Sequence, residues 1–351
     1  MQPLTDALTS KALFFLLAKK LTLDLSVAET VDTIDQLHTL YAKLTSIEGV
    51  LAPSEEPEVF EELSENGTRV NPYMAAYCFR DYLRTYKFVY GINKAVAGLI
   101  TAGREIPLQI LYAGSGPYAA LVLPLTALYE KHQIKVTLID IHQSSLDAVK
   151  MLVNTFAIGE YFTDFIKIDA TCYEPASEQL FDVIISETMD KSLRKEPQVA
   201  IFNNLCQFLA PGGILIPEEI RVDLYQSDWG NERNPKYEYY SDEETREYNS
   251  AHRKKVTNLI TINKDTVQYF KRTGVSTNIF LTKVEANQLE PLKYSALLLL
   301  TEVQVYGQTT LIEDESILTE KDYISPLNEK VIQQDLSFYY KMDNDPRIVL
   351  G

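Results

Sequence analysis

Residues 110–121 read ILYAGSGPYAAL, and they hold the side chains and backbone best suited to receiving a small ligand. Apolar residues close a buried strand, then Gly114, Ser115 and Gly116 turn the chain into a segment rich in Ala, Leu and Val that is expected to be a helix. A strand that turns through small residues into a helix offers bare backbone N–H groups and a helix N-terminus to a nucleotide or a carboxylate. Glycines also serve simply to bend a chain, so the companions of the turn decide its chemistry. Asp140 ends the next strand, where a carboxylate can accept hydrogen bonds from two vicinal ribose hydroxyls. The turn itself reads G-S-G-P-Y-A and lacks the third glycine that lets a helix pack closely over a pyrophosphate. A nucleoside ligand without a pyrophosphate therefore suits it better than NAD.

These residues need a frame that brings them together. Strand-like runs at 135–141 (KVTLIDI), 163–169 (TDFIKID), 181–186 (FDVIIS) and 213–217 (GILIP) alternate with helical patterns such as 145–155. Near-continuous apolar strands separated by helices imply a parallel sheet covered on both faces. Its ligand crevice lies beyond the C-terminal strand ends, where Gly114, Asp140, Asp169 and Glu187 all fall. Upstream, residues 1–50 carry two or three helices closed by Gly49. The acidic stretch 52–67 reads as a boundary or a short solvated helix, and 71–100 as helical with an aromatic stripe destined for the core. From Arg221 onward the strand candidates 221–225, 256–261, 266–270, 295–305 and 335–342 follow without comparable helices, which predicts an antiparallel sheet or barrel. Residues 229–254 form either a projecting arm or a long surface loop. The expected architecture is thus α/β in three parts: helices over 1–70, a Rossmann-like sheet with its preceding helices over 71–220, and a β-rich domain over 221–351.

Composition narrows the partners. The 351 residues are 46% hydrophobic and 23% charged, enough for a large core. Acidic residues outnumber basic ones 49 to 33, and the formal charge of −16 disfavours nucleic acid and anionic membranes while suiting cationic substrates. Three scattered cysteines form neither a disulfide framework nor a metal motif, which fits a cytoplasmic protein without a metal. The apolar run 12–18 is too short for a membrane span.

GxG, an acid-ended second strand and Asp169-Ala170 after the third together resemble the class I S-adenosylmethionine-dependent methyltransferases. The resemblance narrows at SETMDKSLRKE, residues 186–196, where Glu187 and Glu196 stand nine residues apart. This is similar to the double-glutamate loop of the protein arginine methyltransferases. Asp81-Tyr82-Leu83-Arg84-Thr85 resembles that family's helix before the sheet, and residues 209–217 (LAPGGILIP) its turn into the fifth strand. The likeness covers residues 73–225, and more loosely the β-rich remainder.

The resemblance implies S-adenosyl-L-methionine as cofactor, held by Arg84, Tyr112, Gly114, Gly116, Asp140, Ile141, Asp169 and Ala170. In that reading Arg84 pairs with the methionyl carboxylate. Glu187 and Glu196 grip a guanidinium, keeping its charge on the far nitrogens so that the near nitrogen faces the methyl donor. The substrate is then a guanidine-bearing small molecule, peptide or protein, and whether the chain forms a homodimer is left open. Three departures stand out. Tyr112 occupies the position of an acid at the end of the first strand; Met189-Asp190 alters the glutamate loop; and the family's Thr-His-Trp triplet is missing, leaving only His252 and Trp229 in that half. Two other functions are compatible with the same residues: methylation of a small-molecule amine, hydroxyl or carboxylate, and a degenerate cofactor-binding scaffold that regulates a partner.

Overall fold

The computed structural model describes residues 2–47, 61–176, 178–235, 242–274, 277–327 and 334–351. Two helices, α1 (Gln2–Lys20) and α2 (Val27–Thr45), open the chain. α2 starts at a capping box in which the Ser26 hydroxyl accepts from Glu29 N and the Glu29 carboxylate accepts from Ser26 N at 2.9 Å. It ends at Ser46 in the left-handed region, φ 57°. Ile34, Leu37 and Tyr41 point inward, and Phe14 of α1 stacks on Phe156 at 4.3 Å between ring centres.

Most of the acidic stretch 52–67 lies outside the described residues. Its end is not a solvated helix but a hairpin, β1 (Glu61–Ser64) and β2 (Gly67–Val70), turning at Glu65-Asn66. Gly67 has φ +139°, and a Cβ there would lie 2.7 Å from the Lys195 carbonyl oxygen, so the turn admits only glycine. Helices α3 (Pro72–Cys78) and α4 (Tyr82–Thr101) follow, and most of the aromatic stripe is core: Phe79, Tyr82, Tyr86 and Phe88 are buried, Tyr77 and Tyr90 are half-buried, and Tyr73 is exposed.

The central sheet comprises β3 (Leu108–Ala113), β4 (Ile134–Asp140), β5 (Phe162–Lys167), β6 (Phe181–Ser186) and β7 (Leu209–Ile216), with α5 (Gln143–Phe156) and α6 (Gln198–Leu205) between them. Its order is β5-β4-β3-β6-β7 and every neighbouring pair is parallel. The chain direction across the sheet therefore reverses between β3 and β6, and the crevice opens at the end of that strand pair. One expectation fails here. No α-helix follows the glycine turn; the segment runs through turns into a 3₁₀ stretch, Leu123–Ala127. Pro117 and Pro124 carry no N–H, Ala119 sits at φ 40°, and the bonds that form are short-range, such as Val122 N to Ala119 O at 3.0 Å. The loop offers its own backbone to the crevice, with no helix dipole behind it.

The remainder contains β8 (Glu219–Ser227), α7 (Glu243–Ala251), β9 (Arg253–Asn263), α8 (Lys264–Thr273), β10 (Asn278–Val284), β11 (Ala296–Tyr306), β12 (Thr309–Leu311), β13 (Asp322–Pro326), β14 (Leu336–Lys341) and β15 (Arg347–Leu350). One antiparallel sheet runs β12-β11-β8-β9 with β13 also on β11, and a second runs β10-β14-β15. The expected strand at 266–270 is instead α8. Asn263 caps it by accepting from Thr266 N at 3.1 Å, and Val267 and Phe270 are its buried face. Within 229–254 the described residues include a short turn, Trp229–Asn231, then α7 and the start of β9; residues 236–241 lie outside them. No helix among the described residues is long and apolar enough to cross a membrane.

Candidate active site

One cavity at the C-terminal ends of β3, β4 and β6 is lined by all ten residues singled out in the sequence: Arg84, Tyr112, Gly114, Gly116, Asp140, Ile141, Asp169, Ala170, Glu187 and Glu196. The glycine loop forms its floor. Gly114 has φ +72°, and a Cβ there would meet Thr188 Cγ2 at 2.4 Å. Both the conformation and the space demand glycine. Gly116 N donates to Asp140 Oδ2 at 2.9 Å, and His142 N donates to Asp140 Oδ1 at 2.8 Å. Burial pushes the Asp140 carboxyl up, and these backbone donors oppose it. Asp140 thus shapes the loop first, and each of its oxygens keeps a further lone pair for a ligand hydroxyl.

Arg84 lies deep in the cavity wall, on α4. Its Nη1 is 2.9 Å from Glu187 Oε2, its Nη2 donates to Cys78 O at 2.6 Å, and its Nε is 3.9 Å from Asp81 Oδ2. The Arg84 and Glu187 side chains are only 13% and 10% exposed, so water screens this pair little. Burial pushes the Glu187 carboxyl up, Arg84 pulls it back, and Asp81 adds to the rise. Sequence alone assigned these two residues to different ligands; the structure joins them to each other. Tyr112 closes β3 beside Glu187, Arg84 and Asp140, and burial raises its pKa so that it remains a neutral hydroxyl where the resembling family has an anion.

Glu196 is placed by a loop of unusual conformation. Ser192, Leu193 and Lys195 have φ of 57°, 57° and 63°, left-handed values that cost roughly 1–2 kcal/mol each for residues with a Cβ. Four hydrogen bonds from distant segments hold it. Ser192 N donates to Thr301 Oγ1 at 2.9 Å, Tyr340 Oη to Leu193 O at 2.9 Å, Lys195 N to Pro346 O at 2.7 Å, and Thr68 N to Lys195 O at 2.7 Å. Arg194 adds ion pairs to Asp190 at 2.8 Å and Asp322 at 3.2 Å. Such over-determination is how strained backbone persists at a site.

The hairpin supplies residues that the sequence reading missed. Arg69 Nη2 is 3.0 Å from Asp169 Oδ2, while Asp169 Oδ1 accepts from Thr171 N at 2.9 Å. Arg69 and Thr68 also line the cavity. The sequence signal for this hairpin was the Asn66-Gly67 dipeptide, whose asparagine ends the two-residue turn and whose glycine opens β2.

No described residue beyond Ile201 lines the cavity. The β-rich C-terminal part acts from behind, through the bonds above and through Ser316 and Ile317, which bind Asp81. His252 is exposed on α7's end, 2.7 Å from Tyr248 O, and Trp229 packs on Tyr323; neither lines the cavity. No cluster of His, Cys, Asp and Glu among the described residues could hold a metal ion.

No protein-family model matches the chain. No curated protein sequence matches it either. Among solved structures it is similar to the Trypanosoma brucei PRMT1 enzyme-prozyme heterotetrameric complex with AdoHcy, at 13% identity and a TM-score of 0.45, over 75% of this chain and 86% of that one. It is also similar to Arabidopsis thaliana protein arginine methyltransferase 10 in an open conformation, at 12% identity and a TM-score of 0.44, over 72% of this chain and 84% of that one.

Proposed function

We propose that the chain is an S-adenosyl-L-methionine-dependent methyltransferase whose substrate presents a guanidine nitrogen, either in a peptide or protein or in a small molecule. One observation carries this reading: Glu187 already holds a guanidinium, that of Arg84, at 2.9 Å inside the cavity that Glu196 also lines. The buried Cys78 thiol feels three carboxylates, Glu187, Glu196 and Asp81, against the single guanidinium of Arg84, so this end of the cavity carries an excess of negative charge. A sulfonium together with a guanidinium is the kind of ligand pair that would balance it.

The donor set fits the cofactor. Arg84 suits a carboxylate, Asp140 suits paired hydroxyls, and the glycine loop admits close approach of a ligand to bare backbone. When bound, the cofactor supplies a methyl group on positively charged sulfur. The chain's own residues do the rest. A carboxylate arriving at Arg84 competes with Glu187, and Glu187, once released, joins Glu196 in gripping the incoming guanidinium. Held between two carboxylates, that group is oriented by fixed hydrogen bonds rather than by diffusion, and the carboxylates can accept the proton it loses.

The test is incubation with labelled cofactor and a panel of arginine, Arg-containing peptides and simple amines, alongside calorimetry with S-adenosylhomocysteine. Label on guanidines is expected. Label on amines alone would replace the substrate, and an absence of any binding heat would favour a scaffold without catalysis.

A further inference from the structure

Asp81 stands at the N-cap of α4, yet its carboxylate is not spent on capping the helix. Oδ2 accepts from Ser316 Oγ at 2.6 Å and from Ile317 N at 3.1 Å, both in the loop that leads from β12 to β13. Asp81 and Ser316 are almost wholly buried. The same Oδ2 lies 3.9 Å from Arg84 Nε. A second strut ties the helix to this loop, since Lys87 Nζ donates to Thr310 O at 2.8 Å and pairs with Glu315. Ser316 is itself fixed, accepting from Leu318 N at 3.1 Å.

We propose that Asp81 and Ser316 are positioning residues for Arg84: the β-rich C-terminal part, whose described residues line none of the cavity, sets through them how firmly the arginine is aimed at an anionic group of the ligand. The physical reason is the edge geometry of a guanidinium. Its five donors lie in one plane, and a carboxylate along the Nε edge, here at ion-pair rather than hydrogen-bond distance, biases the rotation of that plane. With Cys78 O and Asp81 holding it, the Nη1 corner now occupied by Glu187 is the one left to meet a ligand carboxylate. Without Ser316, Asp81 would lose its strongest neutral donor, and the Arg84 side chain would regain rotamer freedom that binding must then remove.

The inference rests on the cofactor reading above, and two ligands separate the two. S-adenosylhomocysteine carries the amino-acid end that Arg84 would meet, whereas 5′-methylthioadenosine has the nucleoside and thioether without it. By calorimetry on the full chain, Ser316→Ala should weaken S-adenosylhomocysteine by about tenfold and leave methylthioadenosine unchanged, the scale expected when a charge-assisted contact is loosened. Ser316→Thr should restore the affinity, and in an Arg84→Ala background Ser316→Ala should add nothing. Equal losses for both ligands, no loss for either, or full additivity with Arg84→Ala would overturn the positioning role. If the wild-type chain binds neither ligand, the cofactor reading itself falls; if it binds both and Ser316→Ala changes neither, only this inference does.

Discussion

Glu187 Oε2 and Arg84 Nη1, 2.9 Å apart and both largely buried, form the ion pair on which the cavity turns. The residue proposed to grip a substrate's guanidinium grips one of the protein's own. Removing one partner of such a pair strands the other. Arg84→Ala should therefore lower stability by roughly 3 kcal/mol, read from denaturant melts, and weaken S-adenosylhomocysteine as well. Glu187→Gln instead leaves Arg84 its contacts to Cys78 and Asp81 and removes a competitor, so it should bind S-adenosylhomocysteine at least as tightly as wild type while losing methyl transfer. Weaker binding in Glu187→Gln would show that the pair aids, rather than competes with, the ligand.

Asp314 gives a pH signature. Burial, with Glu313 beside it, pushes its carboxyl up to about 6, and its Oδ2 is enclosed without a hydrogen-bond partner among the described residues. A folded-state pKa above the unfolded value means that the native state binds the proton more tightly. Asp314 thus costs no stability at pH below about 4 and costs progressively more as pH rises through 6, up to about 3 kcal/mol. Asp314→Asn should stabilise the protein at pH 7–8 and have little effect near pH 4, as followed by thermal melts across that range. Asn also tolerates the left-handed φ of 56° at this position.

Gly114 and Thr188 form a steric couple across the switch between β3 and β6. Gly114→Ala should destabilise by about 2–4 kcal/mol, combining left-handed strain with overpacking against Thr188 Cγ2. Thr188→Ser removes that methyl but keeps the hydroxyl that bonds Gln198, so the double variant should recover the packing share and not the strain. A double-mutant cycle of melting free energies measures the coupling, and strict additivity would refute the contact.

Tyr340→Phe tests the support of the glutamate loop. Losing the hydroxyl leaves the Leu193 carbonyl without this buried donor, at about 1–3 kcal/mol of stability. Turnover should fall more than S-adenosylhomocysteine affinity, because the loop carries Glu196, the residue proposed to meet the substrate.

Much of this was legible in the chain. The parallel sheet followed from apolar runs ending in Gly114, Asp140, Asp169 and Glu187, because strand period and strand-end position are local properties. The helix expected after Gly116 was not, since Pro117 and Pro124 remove the donors that its Ala- and Leu-rich composition advertised. Residues 266–270 look like a strand by composition, yet the Asn263 cap and the apolar spacing of Val267 and Phe270 make a helix. Arg84 and Glu187 were found separately and not as a pair, because a contact between a helix before the sheet and a loop after its fourth strand leaves no trace in spacing. Ser316 and Tyr340 were invisible for the same reason.

Lys195 joins the two ends of the story: its carbonyl receives Thr68 from the first hairpin and its N–H reaches Pro346, just before the final strand. Contacts so remote in sequence carry a large loop-closure cost and are rewarded late. A chain emerging from the ribosome could complete its parallel sheet well before residue 346 existed, whereas the bond from Lys195 to Pro346 that holds the loop carrying Glu196 would form only afterwards. Competence to bind and competence to react would then be acquired as separate events during synthesis.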